Sequence, residues 1–221
     1  MGLMIDYARP DGRAARGYYV AGARGANQPG IVVVQEWWGV NSQIKGSADR
    51  LAESGYRVLV PDLFRGKATL DEAEAEHMMH NLDFEEAATQ DIRGAVQHLK
   101  PKGKVGVVGF CMGGALAVLT AATTPEADAV VSWYGVPPEE ALDVAKVTAP
   151  LQGHFALQDT FFPIASVDAL DRRLQQRGVA HEFHRYDAGH AFGNETGANH
   201  DPDATEQAWD RTLRFFGRHI G

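Results

Sequence analysis

A single cysteine, Cys111, stands in a chain of 221 residues, so no internal disulfide and no cysteine-based zinc cluster can form. No apolar run approaches the length that spans a bilayer. The opening segment, MGLMIDYARPDGRAARGYY, lacks the apolar stretch of a secretory signal, and the expectation is a cytoplasmic protein. Positive charge is scarce: 21 Lys and Arg against 29 Asp and Glu leave a net charge of −8. That balance argues against nucleic-acid and anionic-membrane partners. Repeats, low-complexity tracts and Pro/Gly/Ser linkers are absent as well, so the chain reads as one domain over residues 1–221. Its hydrophobic share of 44% and charged share of 23% exclude a disordered or fibrous chain.

What is present is an alternation of short β-rich runs with helical stretches. Residues 31–35 (IVVVQ), 57–60 (RVLV), 104–109 (KVGVVG) and 129–134 (AVVSWY) are apolar or β-branched, and 151–157 and 181–186 follow less cleanly. Apolar runs without polar alternation belong to strands buried on both faces. Helices are expected near 42–54, 71–81, 84–100, 113–123, 163–177 and 204–218. Ala204, Ala208, Trp209, Leu213 and Phe216 form the apolar stripe of the last. Pro163 suits a first helical turn. Strand and helix in turn imply an α/β architecture, a mostly parallel sheet covered on both faces. Residues 17–23 (GYYVAGA) add an early antiparallel strand. Functional groups in such sheets gather in loops at the carboxyl ends of the strands.

One of those loops holds the cysteine. Gly109-Phe110-Cys111-Met112-Gly113-Gly114 joins the strand 104–109 to a small-residue helix. This is the G-x-C-x-G form of a nucleophile elbow, with cysteine in place of serine. The bend is tight, so the residues two away on each side must be nearly free of side chain, as Gly109 and Gly113 are. It presents Cys111 at a helix amino terminus, whose dipole favours a thiolate, and leaves the Met112 N–H as an oxyanion donor. A buried, inert thiol is the competing reading, because free cysteines are often packing residues.

An elbow enzyme carries its nucleophile, acid and histidine in that order, each on a loop after a later strand. Nine histidines are available, so position decides. His190 follows the strand 181–186 and Asp159 follows the strand 151–157. Asp159 would orient the imidazole and stabilise its charged form, although capping the helix near Pro163 is an alternative use for it. Asp187 equally suits a turn cap. His77 and His80 lie at i, i+3 on an acidic helix and read as a solvated face. His181 and His184 point to opposite faces of a strand and cannot readily share a metal. The loop after the first parallel strand, Gln35-Glu36-Trp37-Trp38-Gly39, should lie beside the elbow, with the Trp37 N–H as second oxyanion donor. Glu36 is a surface residue, or it accepts the thiol proton, or it keeps the thiol neutral at rest.

These residues resemble the dienelactone hydrolase family of the α/β-hydrolase superfamily, carboxymethylenebutenolidase-like enzymes with a cysteine nucleophile. The resemblance runs through Arg9-Pro10-Asp11-Gly12, IVVVQEWWG at 31–39, YRVLVPDL at 56–63 and GFCMGG at 109–114. It continues in Trp133-Tyr134-Gly135, Asp159 and Gly189-His190-Ala191-Phe192. It implies a three-layer α/β/α fold and a Cys111–His190–Asp159 triad that hydrolyses a carboxylic ester or lactone through a thioester. Glu36 matches the family glutamate that contacts the resting thiol and helps to activate it. The resemblance implies no metal or organic cofactor, a small-molecule substrate and a monomer. Two arginines that hold the dienelactone carboxylate in the family are not matched. One position is Asn194; the other falls in the region 71–80, DEAEAEHMMH, which has no arginine or lysine. An anion clamp needs bidentate cations, so the expected substrate is an ester or lactone other than dienelactone.

Trp38, Phe64, Trp133, Tyr134 and Phe161 fall in or near loops at the active end and, with Asn194, are the expected pocket residues. The aromatics serve equally as packing around the elbow. The rival from another class is a ligand-binding or redox-sensing protein on a hydrolase scaffold, which would have no need of an aspartate-oriented histidine.

Overall fold

A computed structural model of the chain describes residues 2–23 and 27–221. Eight strands form one sheet in the order β1-β2-β4-β3-β5-β6-β7-β8. The first two, β1 (Leu3–Ala8) and β2 (Ala14–Val20), form an antiparallel hairpin, and β2 pairs antiparallel with β4 (Arg57–Pro61). From β4 onward the strands run parallel: β3 (Gly30–Val34), β5 (Val105–Phe110), β6 (Ala129–Trp133), β7 (Leu151–Ala156) and β8 (His181–Tyr186).

The central runs are apolar at every position because both faces are covered, and the period of two then divides them between two cores. Ile31 and Val33 join Val58, Val60, Val108 and Phe110 on one face. Helices α1 (Ser42–Glu53) and α7 (Pro202–His219) cover that face with Leu51, Trp209 and Phe216. Val32 and Val34 join Leu59, Val105 and Val107 on the other, under α4 (Arg93–Leu99), α5 (Met112–Thr123) and α6 (Ile164–Gln176). Each large apolar side chain fully buried there contributes about 1.5–3 kcal/mol. The resulting three layers are the α/β/α arrangement expected.

Three local expectations change. The early strand spans Ala14–Val20 rather than 17–23, and it has a partner, β1, an edge strand that is apolar except at Asp6 yet buries only Tyr7. The helix expected over 84–100 is divided into α3 (Phe84–Glu86), a π-helical stretch (Ala87–Ile92) and α4. That stretch turns Asp91 into the interior, where it pairs with Arg9 and with both terminal nitrogens of Arg65. A hydrophobic period cannot reveal one such added residue per turn. Pro163 caps α6 in an extended conformation, one residue before the helix proper. The acidic helix α2 (Glu72–His80) lies outside the sheet, with Ala75 and Met78 as its buried residues.

Candidate active site

Cys111 occupies the single residue between β5 and α5, at φ 55° and ψ −118°. That is a left-handed conformation for a residue with a side chain, and it costs on the order of 1–3 kcal/mol. The surroundings enforce it. The Cys111 N–H donates to the Trp133 carbonyl at 3.0 Å, and its own carbonyl accepts from Gly114 and Ala115 to start α5. A Cβ on Gly109 would sit 1.8 Å from the Gly113 carbonyl oxygen, and one on Gly113 would sit 2.4 Å from that of Val34. The two glycines let the strand, the helix and the loop after β3 close on one another. The loop that starts at Gln35 is thereby held against the first turn of α5, where Gly113 meets the Val34 and Gln35 carbonyls. Buried Gln35 ties the same loop to the end of β4 by accepting from the Leu63 N–H at 3.3 Å.

His190 and Asp159 reach the cysteine from the loops after β8 and β7. His190 Nε2 lies 3.1 Å from Cys111 Sγ, and Nδ1 lies 2.7 Å from Asp159 Oδ2. A carboxylate only accepts, so Nδ1 carries a proton, and in the neutral ring Nε2 is the nitrogen that can accept from the thiol. The Asp159 side chain is 1% exposed. Its other oxygen accepts from the Phe161 and Phe162 N–H groups at 2.8 and 2.9 Å, which makes it a loop organiser and not a cap on α6. The histidine loop is anchored from beneath: Phe192 is fully buried against Trp133, Tyr134 and Tyr186, and its carbonyl accepts from Asp201 and Thr205 at the start of α7.

Glu36 is a buried residue, so the surface alternative falls away. Its hydrogen bonds run to Asn194 Nδ2 at 2.7 Å and the Tyr134 hydroxyl at 3.3 Å, while the thiol's partner is His190. Burial pushes the Glu36 carboxyl above its usual range, against the opposing pull of Asn194, His190 and Tyr134. Burial likewise pushes the Cys111 thiol well up, reinforced by the charge of Glu36 and, more weakly, of Asp159. These influences together favour the thiol over the thiolate.

Most of the expected pocket residues sit elsewhere than in an open pocket. Trp133 and Tyr134 are fully buried, and the Trp133 indole N–H donates to Thr212 of α7. Phe64 packs in the core with Leu63 and Met78. Asn194 is buried and spends its amide on Glu36, because a desolvated carboxylate needs donors wherever it is placed. Trp37, Trp38 and Phe161 form an aromatic cluster beside His190, with Phe161 exposed. Trp37 meets Trp38 edge-on at 5.2 Å between ring centroids and Phe161 at 6.4 Å, and Phe161 lies 4.9 Å from the His190 ring. Phe162, 5.6 Å from His190, was not expected; its signal was its place beside Phe161, two and three residues past the acid. A separate depression of about 570 Å³ between α1 and residues 193–196 is lined by Gln43, Asp49, Arg50 and Glu195 and includes none of the catalytic candidates. His77 and His80 lie on exposed α2, and among the described residues no three of His, Cys, Asp and Glu gather as a metal site would require.

A model of the "Dienelactone hydrolase family" matches residues 16–220. "Protein usf" of Aquifex pyrophilus is 31% identical over the full length of both chains. A protein of Aquifex aeolicus named "Putative carboxymethylenebutenolidase" is 30% identical, again over all of both. Among solved structures, a dienelactone hydrolase-like promiscuous phosphotriesterase from metagenomic libraries superposes with a TM-score of 0.88 at 22% identity, covering 100% of this chain and 99% of that one. That likeness concerns the fold.

Proposed function

This chain belongs to the dienelactone hydrolase family, and from that premise we propose that it is a cysteine-dependent hydrolase of carboxylic ester or lactone bonds. It acts as one α/β-hydrolase domain, a cytoplasmic monomer with a small-molecule substrate and no cofactor. The observation that carries the reading is the unbroken line from Cys111 Sγ through the His190 ring to Asp159, at 3.1 and 2.7 Å, on a strained elbow. Nothing about packing requires that line.

In the proposed reaction His190 Nε2 takes the thiol proton as Cys111 Sγ attacks the carbonyl carbon. The carbonyl oxygen becomes an oxyanion held by the N–H groups of Met112 and Trp37. Collapse breaks the carbon–oxygen single bond; the leaving oxygen takes the proton from His190 and departs as an alcohol. The acyl group remains on sulfur as a thioester. Water then attacks that carbonyl, giving its proton to His190, and the proton returns to sulfur as the acid is released. Asp159 holds the imidazole in the tautomer that can accept and stabilises its charged form.

Glu36 acts on the thiol's proton affinity through its charge, held in place by Asn194 and Tyr134. Because the Asn194 amide is committed to Glu36, it offers no cation to a substrate carboxylate, and an uncharged ester or lactone is the favoured class over dienelactone. A redox sensor fits less well: sensing favours an accessible thiolate, and here burial disfavours the thiolate.

The test is turnover of p-nitrophenyl acetate by the wild type, Cys111→Ala and His190→Ala. Both variants are expected to lose at least a thousandfold in kcat/KM while their circular dichroism stays native. Wild-type rates in Cys111→Ala would overturn the reading.

A further inference from the structure

Beside the catalytic candidates the loops after β6 and β7 part to form a groove of about 320 Å³. Val136, Pro137 and Pro138 form one wall, and Phe161, Phe162 and Leu170 the other. The groove follows α6, from Pro163 at its start to Arg173 ten residues on, a run of about 15 Å at 1.5 Å per residue. At Arg173 its one cation is already engaged. The guanidinium donates to the Leu142 carbonyl at 2.7 Å and lies 3.6 Å from the Glu139 carboxylate. Glu139 also lines the groove, its side chain mostly exposed, and the other lining residues carry no ionisable group. Volume and lining suit a small apolar group.

The near end of the groove is built from the residues that hold His190. Phe161 and Phe162 flank the imidazole, and both take their backbone position from the Asp159 carboxylate that also binds it. In the proposed reaction the leaving oxygen must reach His190 Nε2 to collect a proton. Whatever is bonded to that oxygen therefore extends on the histidine side, across Phe161, while the acyl group stays on sulfur. We propose that the groove between the β6 and β7 loops is the subsite for the alcohol portion of the ester and selects an uncharged aryl or alkyl group. The proposal rests on Cys111 being the nucleophile and His190 the proton donor.

Acetate esters of alcohols with similar acidity isolate this subsite, because the acyl group is constant. The wild type should hydrolyse 2-phenylethyl acetate with a kcat/KM at least tenfold above that for ethyl acetate. Ser166 and Ala169 line the same groove from α6, and Ser166 is exposed. Ser166→Trp, filling it, should bring the two rates within threefold of each other. Ala169→Leu, a smaller intrusion, should lower the ratio partway and serves if the tryptophan variant does not fold. Binding of 2-phenylethanol, followed by nuclear magnetic resonance, gives a readout that needs no turnover; Ser166→Trp should weaken it at least tenfold. Cys111-dependent hydrolysis with equal rates on both acetates, or a ratio unmoved by either variant, would overturn the subsite and leave the hydrolase reading standing. Absence of all ester turnover would overturn the hydrolase reading and, with it, the groove as an alcohol subsite, even with 2-phenylethanol bound. Failure of 2-phenylethanol to bind the wild type would overturn the subsite whatever the turnover.

Discussion

Cys111 combines a backbone conformation that favours glycine with a side chain whose charged form its surroundings oppose. The strain is fixed by the elbow, whereas the thiol's proton affinity is set by neighbours that can be changed one at a time. Burial contributes most, and the Glu36 charge comes next, raising the thiol's pKa by repelling the thiolate. Removing that charge lowers the pKa, so at any pH below it more thiolate is present. Glu36→Gln is therefore expected to alkylate faster with iodoacetamide at pH 8 than the wild type, by severalfold. With no other thiol in the chain, the label reports Cys111 alone. An unchanged alkylation rate would show that Glu36 carries no charge felt by the sulfur.

Elements position these residues only because certain side chains are missing. The elbow requires Gly109: an added Cβ meets backbone atoms of Gly113 at 1.8 and 2.3 Å, and backbone cannot swing aside as a side chain would. Gly109→Ala should cost on the order of 3 kcal/mol, read as a lowered urea midpoint, with activity falling as β5 and α5 are forced apart. Gly46 is the contrasting case. It lies inside α1, where an added methyl would have nothing within 4 Å, and its φ is ordinary. Gly46→Ala should raise stability by roughly 0.5–1 kcal/mol, the helix preference of alanine over glycine. The same substitution thus has opposite signs at two positions, decided by what the Cβ meets.

At the scale of the molecule, the sheet's far side holds a polar group that sets a limit in acid. His154 on β7 is fully buried, bonded to the Tyr186 hydroxyl at 2.8 Å, Gln152 at 2.9 Å and Thr212 at 3.0 Å. Burial holds its pKa well below the usual histidine range, with His184 and Arg211 adding to the effect. The folded state thus keeps the ring neutral, while the unfolded chain takes up a proton near pH ~6.5. Stability from this group is fully present above that value and declines as the pH falls below it. His98, His184 and His219 are shifted in the same direction. Urea midpoints should therefore drop between pH 7.5 and pH 5.5. His154→Gln, less stable at pH 7.5, should show a shallower drop; an equal or steeper one would rule out this account.

Much of the active end was legible from residue order. Glycine spacing around Cys111 predicts the elbow because the steric demand is local, and apolar runs predict buried parallel strands because one face cannot explain them. The positions of Asp159 and His190 after successive strands followed from topology, since loops at the carboxyl ends of neighbouring parallel strands must converge. The π-helical stretch was not legible, because one extra residue per turn leaves no mark in composition. Nor was the partner of Asn194, 158 residues from Glu36. Sequence thus determined which loops meet and which residue sits at the bend. Only the tertiary structure decided that Trp133, Tyr134 and Phe64 are core, that Glu36 is held by two neutral donors and that Phe162 joins Phe161 against the histidine. The reason is physical: burial and hydrogen-bond satisfaction depend on what surrounds a side chain from every direction, and only folding brings those neighbours together.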